Sequence, residues 1–166
     1  MTVKVEIVNP VGMALIPTAQ VRVPFGATSG ALDANDAMGD IFVFDQDVYG
    51  HPLPKVGRII SIKMIDQSDV VLAPIIHIFN RIVAVAASDA EFAISAVDAA
   101  YWVTSQTFGT FTDLGSAKAV SQLNINEDYV SLDGALYCQL QTTGTPTPTV
   151  NAMPLVQMFI EPLDGS

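Results

Sequence analysis

The run VGRIISIKMIDQSDVVLAPIIHIFNRIVAVAA, residues 56–87, decides the fold. It is read either as strands or as a membrane-crossing segment, and its polar residues choose between them. The best membrane window, Val70–Ala87, contains Pro74, His77, Asn80 and Arg81. An arginine near the centre of a spanning helix costs roughly 2.5 to 3.5 kcal/mol. Read as strands the stretch is consistent, because Val56–Ile65 and Val70–Phe79 are rich in β-branched residues and are divided by a polar break.

The same grammar extends in both directions. Thr2–Val8 sets Val3, Val5 and Ile7 on one face and Lys4 and Glu6 on the other, the alternation of a half-buried strand. Further runs lie at Ala19–Val23, Ile41–Phe44, Ala135–Gln141 and Leu155–Glu161. Seven runs separated by turn-rich stretches predict an all-β protein, an antiparallel β-sandwich or jelly-roll-like domain. With 166 residues the chain reads as a single domain over 1–166. One segment departs from the pattern. Ser88–Glu91 has the spacing of a capping box, and the alanine-rich Phe92–Trp102 behind it predicts one short helical insertion of one or two turns. Asp98 interrupts its apolar face, and Val103-Thr104 oppose extension.

The surface implied by this composition is unusual. Charged residues are 14% of the chain and apolar ones 50%, with a mean hydropathy of +0.41, whereas ordinary soluble domains carry about 25% charge. A folded monomer of this mass exposes roughly 7,900 Å². Its 24 charges are then spread at about one per 330 Å², against about one per 190 Å² at average composition. Much of that surface is expected to be covered in an assembly. The net charge of −10 opposes binding to phosphate backbones or anionic membranes, so no nucleic-acid or membrane partner is expected. The start, MTVKVEIVNP, has one lysine and no apolar leader core, which predicts synthesis in a cytoplasm without the usual secretion route.

Segments that could carry chemistry were weighed against structural explanations. ALDANDAMGD, Ala31–Asp40, collects Asp33, Asn35, Asp36 and Asp40, but Ala37 and Met38 stand where a calcium loop needs an oxygen ligand and a glycine. The preference of Asp and Asn for turns explains the cluster, with a cation site as the alternative. His51 and His77 lie in unrelated contexts, and His77 is expected on a strand, sharing a face with Ile75 and Phe79. Neither a serine-hydrolase elbow nor a phosphate-binding glycine loop is present, so the expectation is no enzyme, no cofactor and no metal. Cys138, between Leu136 and Leu140, reads as a small buried hydrophobe.

Contact residues are sought where polarity and turn structure coincide. TTGTPTPTVNAMP, Thr142–Pro154, carries no charge and three prolines, which predicts an extended edge segment or a long connection. From Gly134 to Ile160 no residue is charged, marking this region for a subunit contact. Tyr49, Tyr101, Trp102, Phe108 and Phe111 sit in turn-like or short helical surroundings as candidate anchors. The candidate interface residues are Trp102, Phe108, Phe111, Thr145, Pro146 and Thr147.

The order of these pieces resembles a family of small virion structural proteins of tailed bacteriophages. It is carried by ALDANDAMGD, GRIISIKMIDQS followed by PIIHIFNR, the D-x-x-x-F-A-I-S-x-x-D segment from Asp89 to Asp98, and LYCQLQTTGTPT, together covering most of Ala31–Thr147. Pro148 and Asn80-Arg81 depart from the family's usual tyrosine and aspartate. The resemblance implies a place in the virion, as a capsid decoration or cement protein on the head surface, partnered by the major capsid protein and by itself. A homotrimer is the expected self-assembly. A head-tail or tail component and a carbohydrate- or receptor-binding module are the alternatives.

Overall fold

The computed structural model describes residues 15–24, 31–66, 73–115, 119–146 and 154–163. The expected strand Thr2–Val8 and, within the neutral segment Thr142–Pro154, residues 147–153 lie outside them. The described chain is almost entirely β. Its strands are β1 (Ile16–Pro17), β2 (Val21–Arg22), β3 (Ala37–Phe44), β4 (Val56–Asp66), β5 (Ile75–Phe79), β6 (Trp102–Thr107), β7 (Thr112–Asp113), β8 (Ala119–Val130), β9 (Leu136–Gln141) and β10 (Leu155–Pro162). They form two antiparallel sheets, the first ordered β1-β10-β4-β8-β7 with β2 also pairing β10, the second ordered β3-β9-β5-β6. This is the all-β sandwich that the alternation predicts.

The inner faces meet in one core. Ile59, Ile62 and Met64 of β4 and Val156, Met158 and Ile160 of β10 face Phe42, Phe44, Ile76, Ile78, Leu136, Cys138 and Leu140 from the second sheet. Period-two alternation puts Gln157 and Lys63 outward beside those buried residues. Cys138 is fully buried, and burial pushes its thiol well above the ordinary range, so it packs as an inert apolar group. Pro74 stops β5 from extending backwards, since it has no amide hydrogen for the ladder; its carbonyl instead accepts from the Phe108 amide at 2.9 Å.

Two glycines are fixed by close approach. At Gly57 an added Cβ would lie 2.9 Å from the Tyr129 ring, whose hydroxyl donates to the Pro54 carbonyl at 3.0 Å. At Gly39, with φ +83°, it would lie 2.7 Å from the Pro24 carbonyl oxygen. These contacts hold the chain entering β4 and β3 against its neighbours.

Several expectations need correction. The capping box does not form. Asp89 takes φ 67°, and the Ser88 hydroxyl accepts from the Gly39 amide at 3.2 Å. The helical insertion is a single 3-10 turn, Asp98–Tyr101, and the chain is already strand at Trp102. The charge-free stretch Gly134–Ile160 has an internal explanation. It supplies β9, between β3 and β5, and β10, between β1 and β4, whose inward residues are core. A charge facing into either would be stranded in apolar surroundings. Phe108 and Phe111, offered as contact anchors, are 0% and 9% exposed and pack on each other with centroids 6.4 Å apart inside the core cluster.

Ile62 is central and fully buried. Ile62→Ala is expected to lower unfolding stability by about 2–5 kcal/mol, and Asn124→Ala, on the outer face of β8, by at most about 0.5 kcal/mol. Denaturant midpoints check both.

Candidate functional site

Two features stand out against the ordinary surface of a sandwich. The first is a strap, residues 80–101, that leaves β5, crosses the outer face of the second sheet and returns to β6. Its outward leg is bonded along the way. Gln139 donates to the carbonyls of Ala86 (2.7 Å) and Gly39 (3.1 Å), the Ala37 amide donates to Ala90 (2.8 Å), and the Phe92 amide to Asn35 (2.8 Å). Gln139 is fully buried as a result.

His77 lies beneath this strap. It projects from the outer face of β5 as the alternation predicts, and Phe92 stacks on its ring at 4.0 Å and 15°. Gln141 donates from Nε2 to the Asn35 carbonyl, leaving Oε1 to accept from His77 Nε2–H at 2.9 Å. His77 Nδ1 then accepts from the Ser105 hydroxyl at 2.6 Å, and the same oxygen accepts from the Trp102 indole N–H at 2.8 Å. One directed chain thus runs from Trp102 through Ser105, His77 and Gln141 to the Asn35 backbone. Burial lowers the imidazole's pKa, and the Gln141 bond opposes that in part. Ser105 and His77 stand as the first two members of a nucleophile–base–carboxylate triad would, but the Gln141 amide takes the place of the carboxylate that would stabilise an imidazolium. The arrangement acts as a clamp that orders the strap and fixes the indole. Sequence reading placed His77 correctly and missed this network, because its members come from four separate segments.

The second feature is an end of the sandwich. The β3–β4 and β8–β9 connections lie together at one end, here the hairpin end after the small Gln46–Pro52 hairpin in the first of them, and among the described residues it gathers nine of the eleven exposed large hydrophobic side chains. Leu15, Val48, Tyr49, Val130, Leu132 and Leu163 come from the first sheet and these connections; Val43, Ile82 and Trp102 come from the second sheet and the strap ends, while Val97 lies on the strap's return leg. Among the described residues Leu114 alone lies at the opposite, acidic-loop end. Tyr49 is 80% exposed, and the Arg81 guanidinium sits 5.1 Å from the Tyr101 ring centre while donating to its hydroxyl at 3.0 Å.

The hairpin end is stiffened by its carboxylates. Asp47 accepts from the amides of Tyr49 and His51 and from His51 Nδ1; these bonds outweigh desolvation and hold its pKa below the usual carboxylate value. Asp133 accepts from the Ala135 amide and the Tyr137 hydroxyl, which lowers its own pKa and raises that of the phenol. Asp128 pairs with Arg58 on the adjacent strand.

The remaining predicted residues do not converge. Trp102 is half exposed at the hairpin end, whereas Thr145 is exposed and Pro146 half-buried at the other; Thr147 lies outside the described residues. Thr142 is buried, its hydroxyl donating to the Asp33 carbonyl and accepting from the Asp36 amide, so the neutral segment begins as part of the acidic loop's scaffold. Within that loop Asp36 accepts from the Asp33 amide at 2.8 Å, and Asn35 takes φ 75°. Among the described residues no three His, Cys, Asp or Glu side chains gather closely enough to hold a metal ion, and no helix is long and apolar enough to cross a membrane. No protein-family model, curated protein or solved structure matches the chain.

Two outcomes follow from these contacts. Because the folded imidazole binds a proton less readily than the unfolded one, its contribution is fully present above the ordinary histidine pKa near 6.5 and is lost as pH falls from there through the lowered folded value. Melting temperature is therefore expected to drop as pH falls below about 6.5, and His77→Gln should flatten that drop. If Asp33, Asp36 and Asp40 serve only the turn, added calcium or chelator leaves the melting temperature unchanged; a calcium-dependent rise would establish a cation site.

Proposed function

We propose that this chain is a virion structural protein of a tailed bacteriophage, a capsid decoration protein that cements the head by binding the major capsid protein and further copies of itself. The observation that carries the reading is the concentration of exposed apolar and aromatic side chains at one end of an otherwise ordinary sandwich. A surface so divided suits a protein that docks chiefly by one end. The resemblance of the ordered segments between Ala31 and Thr147 to phage virion proteins supports the same reading.

Cementing needs no reacting group. A protein that binds only the arrangement in which its contacts are satisfied stabilises that arrangement by mass action, and on a shell under internal DNA pressure the gain is resistance to rupture. The net charge of −10 keeps decorated particles apart. The rigid clamp beneath Trp102 and the internally bonded Asp47 turn reduce the ordering entropy lost on docking.

Particles assembled without this protein are expected to form normally and to release DNA at a lower temperature than complete ones; adding the purified protein back restores retention. Replacing Tyr49, Trp102 and Leu132 together by serine should abolish the restoration. Equal DNA release with and without the protein would contradict the cement role, and heads that fail to join tails would favour the head-tail alternative.

A further inference from the structure

The hairpin end contains a cleft of about 490 Å³ where the β3–β4 connection meets β1 and the end of β10. Ile16, Leu53 and Pro162 give it apolar walls, and Asp47, His51 and Lys55 supply its polar groups. Asp47 is already occupied, accepting from two amides and from His51 Nδ1. Lys55 is exposed and makes no ion pair among the described residues. The cleft therefore suits a segment that brings one apolar side chain and one carboxylate together.

The chain itself carries such a segment. Leu114, 61% exposed, is the single exposed large hydrophobic side chain described at the acidic-loop end, and it directly follows Asp113. The Gly115 amide donates to Asp113 Oδ1 at 2.7 Å, and Gly115 takes φ 75°, so this corner is a preformed turn with both side chains at the surface. Extending the self-association part of the proposed role, we infer that copies of this chain join head to tail, with the Asp113–Leu114 corner of one entering the Lys55 cleft of the next. Charge complementarity selects this occupant, since the Asp113 carboxylate beside exposed Leu114 meets in Lys55 a cation with no ion pair among the described residues.

The topology makes the contact intermolecular. The cleft lies on the β1 margin of the first sheet at the hairpin end, and the corner on the β7 margin at the opposite end. No copy can fill its own cleft. Two different patches meeting give a heterologous contact, which closes into a ring when the rotation between copies allows and a trimer when that rotation is threefold.

Sedimentation velocity of the purified full chain, from micromolar to tens of micromolar, tests the contact. Lys55→Asp and Asp113→Lys are each expected to weaken association about tenfold or more by setting like charges together. Combining them should recover most of the loss, and Leu114→Ser should weaken association with no charge change. Circular dichroism showing unchanged melting would confirm that the variants fold. A wild-type chain that stays monomeric, single reversals without effect, or a double variant no better than the singles would overturn the contact. Co-sedimentation with heads lacking the protein separates this from the decoration role. Protein that binds heads while its association ignores these substitutions refutes the contact alone, and protein that associates through the contact but ignores heads refutes the decoration role alone.

Discussion

Apolar packing between the two sheets is the interaction on which the rest of the molecule depends. Ile62, Met64 and Met158 on one side and Phe44, Ile78 and Leu140 on the other are fully or almost fully buried. The chain must cross between sheets repeatedly to build this core, since β3, β5, β6 and β9 belong to one and β4, β8 and β10 to the other. Two of those crossings, β3–β4 and β8–β9, fall side by side. The side chains left over once the core is full are therefore collected at one end rather than scattered.

That sorting makes the composition intelligible. Low charge suggested a surface hidden in an assembly, and the neutral C-terminal third looked like the hidden part. The described strands of that third, β9 and β10, are hidden inside the chain itself. The surplus apolar surface lies on residues the sequence does not group, from Leu15 through Tyr49 and Trp102 to Leu163. They share no motif or spacing; only the topology brings them together.

Legibility followed the strength of the alternating pattern. Val56–Ile65, Ala135–Gln141 and Leu155–Glu161 were readable because their inward residues are aliphatic and their neighbours turn-rich. Strand β8, the longest of all, was missed: Gln122, Asn124, Asn126 and Asp128 have weak strand preference, although Leu123, Ile125 and Tyr129 keep period two beneath them. The short helix expected over Phe92–Trp102, where alanine favours one, shrinks to the Asp98–Tyr101 turn, with Phe92 held instead in a stack on His77. Phe108 and Phe111 were placed outside because short flanking loops conceal that both rings turn inward.

Docking through the hairpin end is the central claim, and it joins the rigid clamp under Trp102, the internally bonded Asp47 turn and the apolar surplus into one account. An electron-microscopy reconstruction of the intact particle tests it most directly. The account requires density for this chain on the head, with the hairpin end around Tyr49, Trp102 and Leu132 buried against neighbouring protein and the outer face of the first sheet toward solvent. Density on the head with that end pointing into solvent, or density confined to the tail, would contradict it.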